Sequence, residues 1–228
     1  MQSVRLNSLS PTPTVLVIMF HGVGANPESM QPLAEYLKSQ SQDIAASIPA
    51  GFDQSPFNPA GFQWFSINGV TDKNRQSRVD AVMQRFDQLI RDEAKRFNVA
   101  LNQVILLGFS QGAIMSLEWF KQADQPIAGI VAMSGRFATL PEIQEQPDSQ
   151  ARPDNQALQT TQPLPVTPVC LIHGADDLVI PTLHSQQSNT ALHACKHQVE
   201  LHLLPGTAHQ ITQTGADLAF RFIVQQFH

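Results

Sequence analysis

The chain has 228 residues, 42% of them hydrophobic and 14% charged, which suits one α/β domain (1–228) with length enough for a substantial core. Its formal net charge of -5 argues against a general nucleic-acid binder, which would carry a basic face, and leaves neutral or cationic substrates open. Residues 1–10 lack the basic start, apolar middle and cleavage site of a secretion signal, and the longest apolar run, residues 15–20, is too short to span a bilayer, so no stable membrane insertion is expected.

In chain order, residues 1–14 read as a polar lead-in with an edge strand at 4–6. Val15-Leu16-Val17-Ile18-Met19-Phe20 reads as a buried strand and ends in the turn-rich His21-Gly22-Val23-Gly24-Ala25-Asn26-Pro27. Pro27 suits a first helical position, and Met30, Leu33, Ala34 and Leu37 then share one face of a helix reaching residue 39. A short strand is expected at 43–48. Residues 49–68 repeat Pro, Gly and aromatic side chains (Phe52, Phe57, Phe62, Trp64, Phe65), and a loop of that length is usually functional. Thr71 or Asn74 caps a long helix to residue 98, with Val79, Val82, Phe86, Leu89, Ile90 and Ala94 at helical spacing.

Residues 104–107 form a continuous apolar run, as in a strand covered on both faces, and 114–118 open a helix. Residues 127–133 predict the next strand. The composition then shifts to Gln, Pro, Asp and Thr over 141–168, a polar surface excursion too short to be a second domain. Further strands are expected at 169–172 and 199–204, with helices over 181–196 and near the C-terminus. Buried strands alternating with helices imply a mostly parallel central sheet with helices on both faces. Right-handed crossovers put all the parallel strands' C-terminal ends on one edge, where ligands of such sheets bind.

Gly108-Phe109-Ser110-Gln111-Gly112 sits at one of those ends. A strand that turns sharply into a helix lifts its turn residue above the sheet, and the flanking glycines let the backbones pass closely. A serine there lies beside a helix N-terminus, which favours developing negative charge. The alternative is a serine in an ordinary strand-to-helix turn. Ser110, an aspartate at 176 or 177, and His209 each follow a late strand, in the order Ser, Asp, His. A serine hydroxyl needs a base to take its proton, and that base needs an acid to fix its tautomer. Of eight histidines, His209 alone lies in a Gly-containing loop after a late strand and downstream of the aspartates; His173, before a glycine, reads as structural. The backbone N–H groups of Gln111 and Val23 are candidate oxyanion donors. A phosphate cradle would want a lysine or a full Gly-x-Gly-x-x-Gly at 21–24, and neither is present. His193 and His197, with Cys195 and His202 nearby, lack a Glu for a His-Glu-x-x-His site, so they read as a solvated face and no metal is expected. Cys170 and Cys195 read as reduced thiols of a cytoplasmic protein.

Phe20-His21-Gly22-Val23-Gly24, Gln63-Trp64-Phe65, Gly108-Phe109-Ser110-Gln111-Gly112, His173-Gly174-Ala175-Asp176-Asp177-Leu178-Val179 and Gly206-Thr207-Ala208-His209 together resemble the phospholipase/carboxylesterase branch of the α/β-hydrolases, which includes acyl-protein thioesterases. Asn74-Arg75-Gln76-Ser77-Arg78-Val79-Asp80 and Ser134-Gly135-Arg136-Phe137-Ala138-Thr139-Leu140-Pro141 are similar to small bacterial esterases of YpfH type. The resemblance implies an α/β-hydrolase fold and a cytoplasmic serine carboxylesterase without cofactor, cleaving small-molecule esters of short to medium acyl chains. It implies Ser110, Asp177 and His209 as the triad, the acid being the third residue after His173-Gly174, with Val23 and Gln111 as oxyanion donors. Leu178 departs from the family's proline, and the 141–168 excursion leaves the acyl pocket undefined. Phe52, Trp64 and Phe65 are candidates for the acyl side, against ordinary loop packing. Arg136, after a strand end, either meets a substrate carboxylate or pairs with a nearby acid. The alternatives are an acyl thioesterase or lysophospholipase, and, from another class, a hydrolase-fold protein that binds a small ligand without turnover. A monomer or homodimer is expected.

Overall fold

The computed structural model describes residues 2–10, 13–141 and 167–227. The chain runs β1 (Ser3–Leu6), β2 (Val15–Phe20), a 3-10 turn (Pro27–Met30), α1 (Gln31–Gln40), β3 (Ile44–Pro49), β4 (Asp53–Gln54), β5 (Phe62–Gln63) and α2 (Arg75–Arg96). It continues through β6 (Val104–Phe109), α3 (Gln111–Phe120), β7 (Gly129–Met133), β8 (Val169–Gly174), α4 (Leu183–Ala194), β9 (Val199–Leu204) and α5 (Gln213–Gln225). The expected strands and helices are present, with ends shifted by one to a few residues. Residues 142–166 of the Gln/Pro-rich excursion lie outside the described residues.

Seven strands pair in the order β1-β3-β2-β6-β7-β8-β9. The edge strand β1 runs antiparallel to β3, and every other neighbouring pair is parallel. From β2 the chain steps to β3 on one side and later to β6 on the other. The topological switch therefore lies between β2 and β6, where open α/β sheets form a crevice at the strands' C-terminal ends.

Side-chain alternation explains the uninterrupted apolar strands. Leu16, Ile18, Phe20, Leu106 and Ile130 pack beneath α2 and α3 with Val79, Phe86, Ile90 and Trp119. Val17, Met19, Ile105, Leu107 and Val131 pack on the opposite face against Leu37, Ala219, Phe222 and Ile223 of α1 and α5. With both faces covered, no position in these strands is left for a polar residue.

Three local differences from the sequence reading have physical causes. The helix after β2 starts as a 3-10 turn: Ser29 N–H donates to the Asn26 carbonyl (3.1 Å), with the Asn26 side-chain oxygen also at 3.2 Å. Asn74 occupies the cap position of α2, but its side chain closes the preceding turn: it accepts from Thr71 N–H (2.7 Å) and donates to the Gly69 carbonyl (3.0 Å). The long loop at 49–68 contains a small antiparallel ribbon, β4 with β5, whose two-residue strands are too short to leave a periodic signal.

Two buried carboxylates tie distant segments together. Glu93 on α2 accepts from Arg5 Nε (2.9 Å) and Nη2 (2.6 Å) on β1, and from the Ser47 hydroxyl (2.7 Å) on β3. Burial alone would raise the Glu93 pKa, but hydrogen bonds from Arg5 and Ser47 and the Arg5 charge hold it below the usual carboxylate value. Glu118 on α3 accepts from Ala138 N–H (2.7 Å), Gln76 Nε2 (2.8 Å) and Lys121 Nζ (2.7 Å). It thereby joins segments 74–80 and 134–141.

Glu118→Ala strips acceptors from three donors, one of them a buried backbone N–H, and is expected to cost roughly 3 kcal/mol in stability. A fall in the urea midpoint at constant m-value checks this. A depressed folded pKa means that Glu93 contributes stability above the unfolded carboxylate pKa of about 4.3, lost as pH falls through its lower folded value. Comparing urea midpoints of the wild type and Glu93→Gln from neutral to acid pH should show the gap between them narrowing on the acid side.

Candidate active site

Ser110 alone makes the turn from β6 into α3. Its backbone sits at φ 54°, ψ -115°, a conformation that L-residues adopt at a cost of about 1–3 kcal/mol. Hydrogen bonds hold it on both sides: its N–H donates to the Met133 carbonyl (2.9 Å) and its carbonyl accepts from Ile114 N–H (3.1 Å). Gly112 lets α3 rest directly on the end of β2, since a Cβ there would fall 2.0 Å from the Phe20 carbonyl oxygen. Ser110 thus stands beside the loop that leaves β2.

The loops after β8 and β9 bring the other two groups to it. Gly174 allows them to touch, because a Cβ there would lie 2.3 Å from the Ala208 carbonyl oxygen. Asp177 is buried, whereas Asp176 is exposed and donates its N–H to the Thr207 carbonyl at 2.9 Å. Asp177 Oδ1 accepts from Val179 N–H (2.8 Å) and Ile180 N–H (2.9 Å), and Oδ2 from His209 Nδ1–H (2.7 Å). On the far side of the ring, the Ser110 hydroxyl donates to His209 Nε2 at 2.9 Å. The Phe109 ring packs on the imidazole at 4.9 Å between centroids. Burial would raise the Asp177 pKa, but hydrogen bonds from His209, Ile180 and Val179 more than offset it and keep the carboxylate below its usual value. An ionised carboxylate on Nδ1–H leaves the Nε2 lone pair aimed at the hydroxyl, the arrangement that lets a serine lose its proton.

Two further histidines position the loops. His21 is buried; its Nδ1–H donates to the Gly22 carbonyl (2.8 Å) and its Nε2 accepts from Gly51 N–H (3.0 Å). Burial pushes its pKa down, so the ring is a neutral brace for the loop after β2. The same loop is clamped by Gly24 N–H to Phe62 O (2.8 Å) and Phe62 N–H to Ala25 O (2.7 Å). His173 donates from Nε2 to the Ile180 carbonyl (2.7 Å), with Asp177 Oδ2 at 3.2 Å, and its Nδ1 accepts from the Ser185 hydroxyl (2.5 Å). Burial lowers its pKa as well. The backbone N–H groups of Val23 and Gln111 donate to no acceptor among the described residues, which leaves both available to an incoming oxyanion. The Gln111 side chain acts elsewhere, accepting from Trp64 N–H (2.9 Å) and donating to the Phe65 carbonyl (2.8 Å).

The aromatic residues of the 49–68 loop pack as follows. Trp64 is fully buried, edge-on to Phe20 and Phe86, with its Nε1–H on the His21 carbonyl at 2.9 Å. Phe65 is buried in the same core. Phe52 lies under the Arg85 guanidinium at 4.2 Å and lines a groove of about 310 Å³ with Arg5 and Glu93. The burial of large rings over α2 accounts for these positions. The histidines near α4 do not converge either: His193 is exposed and His197 packs against Phe120 at 4.8 Å. Among the described residues, Cys170, Glu200 and His202 do bring ligand atoms within 4.8 Å of one another, but burial pushes the Cys170 thiol pKa up, away from the thiolate a metal would need. The loop-bracing role of His21 and the Gln111 side chain was not read from the sequence; the available signal was the His-Gly pair at each of two strand ends, 21–22 and 173–174.

The family model described as phospholipase/carboxylesterase matches residues 3–226. The chain belongs to the phospholipase/carboxylesterase family. Within curated proteins it is 34% identical to Esterase YpfH of Escherichia coli over 204 residues, covering 90% of this chain and 79% of that protein. It is 24% identical to Acyl-protein thioesterase 1 of Debaryomyces hansenii, covering 97% and 95% of the two chains. The crystal structure of esterase PE8 superposes with a TM-score of 0.83 at 24% identity, covering 98% of this chain and 97% of that one. The fold is therefore that of the α/β-hydrolases. Among the described residues no helix is long and apolar enough to cross a membrane.

The hydrogen-bond pattern fixes opposite tautomers for the two buried rings, Nδ1–H for His21 and Nε2–H for His173. Long-range ¹H–¹⁵N spectra should show both tautomers persisting below the ordinary histidine pKa of about 6.5. Titration of either ring at its ordinary value would contradict this bracing.

Proposed function

We propose that the protein is a serine carboxylesterase that cleaves small carboxylic esters through an acyl-enzyme on Ser110. The observation that carries this reading is the continuous chain Ser110 Oγ, His209, Asp177, with links of 2.9 and 2.7 Å, standing beside two unengaged N–H groups. Membership of the family and the similarity to a protein named an esterase support it.

In the proposed cycle Ser110 Oγ attacks the ester carbonyl carbon while His209 Nε2 takes the hydroxyl proton. Asp177 stabilises the resulting imidazolium through Nδ1–H. The negative oxygen of the tetrahedral intermediate accepts from Val23 and Gln111 N–H, each such donor contributing on the order of 10²–10³ in rate. Collapse breaks the bond to the alcohol oxygen, which leaves with the proton from His209. Water then attacks the acyl-enzyme, giving its proton to His209, and the second collapse returns that proton to Ser110. No cofactor enters these steps. A cytoplasmic location and a monomeric or dimeric state accompany the proposal.

Thioesters are the second reading, favoured by relatives named acyl-protein thioesterase 1, of which the Debaryomyces protein matches over nearly its full length. Matched oxygen and sulfur esters of one acyl chain separate the two by their kcat/KM values.

A fluorophosphonate probe should label Ser110, and Ser110→Ala should lose both the label and at least about 10⁴-fold of para-nitrophenyl butyrate hydrolysis. Labelling elsewhere in folded protein, or equal turnover by Ser110→Ala, would remove the proposal.

A further inference from the structure

Arg136 lies three residues beyond Met133, whose carbonyl accepts the Ser110 N–H. The intervening Gly135 packs on the first turn of α3: a Cβ there would come within 2.3 Å of the Ala113 Cβ. Arg136 is therefore held on the same sheet edge as the Ser110 hydroxyl. Its side chain is only 19% exposed. Nε donates to the Phe137 carbonyl (3.1 Å), and Nη1 donates to His184 Nε2 (3.0 Å), a neutral ring nitrogen that offers no counter-charge.

The one acid in contact with this guanidinium among the described residues is Asp72, at 3.4 Å. That carboxylate is 79% exposed and is held more closely by Arg75 Nη1, at 2.5 Å. Arg75 itself is 16% exposed. Two largely covered guanidiniums thus share one carboxylate that faces water. An exposed pair contributes little, whereas a guanidinium withdrawn from water calls for charged acceptors of its own. Arg136 Nη2 donates to nothing among the described residues. Burial, followed by repulsion from Arg75, pushes the Arg136 pKa down against the pull of Asp72. Among the described residues, Arg136, Arg75 and Asp72 therefore leave a local excess of one positive charge at this edge of a chain whose net charge is -5.

We propose that Arg136, backed by Arg75, is a specificity-determining residue that receives a carboxylate carried by the ester substrate, so that the preferred substrates are anionic esters. This rests on the esterase reading above. Unlike an exposed lysine, a guanidinium already desolvated and aligned by Phe137 and His184 loses little freedom on meeting a carboxylate.

The test is the ratio of kcat/KM on charged and neutral esters of matched shape. One pair, para-nitrophenyl hemiglutarate against para-nitrophenyl pentanoate, places the carboxylate on the acyl chain. The other, meta-carboxyphenyl pentanoate against its meta-carbamoyl analogue, places it on the alcohol. The wild type is expected to favour the charged member of one pair, and added salt to weaken that preference. Arg136→Gln should lower the charged-to-neutral ratio on the order of 10- to 100-fold, mainly through KM, and Arg136→Lys should retain part of it. Should Arg136→Gln fail to fold, the wild-type ratio, its salt dependence and the Lys variant still decide the matter. Turnover of neutral and charged esters without discrimination in either pair would overturn this inference and leave the esterase reading standing. So would a parallel fall on both members in Arg136→Gln, which marks a structural role. Absence of turnover on all four esters would remove both.

Discussion

The single-residue turn at Ser110 is the constraint on which the rest of the edge depends. A left-handed serine between a buried strand and a buried helix persists only because its surroundings over-determine it. β6 is locked between β2 and β7, the Ser110 N–H and carbonyl are both engaged, and every residue of α3 is buried. The close approach of Gly112 to β2 then fixes the distance between the serine and the loop after β2. Once that turn is fixed, parallel strands deliver the loops after β2, β8 and β9 to the same edge, and what remains is to hold each loop in register with it.

Three histidines divide the holding and the proposed chemistry between them by environment. The rings of His21 and His173 are fully buried, with both nitrogens of each hydrogen-bonded, and burial pushes their pKa values down. His209 is only partly buried and bonds to a hydroxyl on one side and a carboxylate on the other. The neutrality of His173 matters to its neighbour. It lies 3.2 Å from Asp177 Oδ2, and a protonated ring there would compete with His209 for that carboxylate. As a neutral donor aimed mainly at the Ile180 carbonyl, it leaves the Asp177 charge to the Nδ1–H of His209.

The sheet was legible because strands covered on both faces read as unbroken apolar runs, and Val15 to Phe20 needed no other signal. Ser110, an aspartate and His209 were legible because each follows such a run, and strand order alone brings their ends to one edge. Choosing between Asp176 and Asp177 required the family's pattern; in the structure the difference is burial, which adjacent identical residues do not advertise. The fates of Phe52, Trp64 and Phe65 were not legible. An aromatic residue in a long loop has the same sequence signature whether it faces a substrate or roofs a helix, and here Phe52 and Trp64 both pack edge-on to Phe86 of α2. The bracing by Gln111 was hidden too, because its side chain acts on a segment more than forty residues away.

The same long-range logic bears on the proposed anion site. Arg75 and Arg136 are sixty-one positions apart in sequence, and two like charges on separate segments would normally drift apart. Glu118 prevents this. Its carboxylate holds Gln76, the neighbour of Arg75, and the N–H of Ala138, two residues beyond Arg136, while Lys121 reaches from the same helix to the Thr139 carbonyl at 2.7 Å. A buried acid on the helix that follows Ser110 therefore ties together the segments that carry the two guanidiniums. An anion entering between them would find the repulsive work of assembling the pair already done by the fold, which is the condition under which a charge contributes to selection rather than being spent on ordering its own partners.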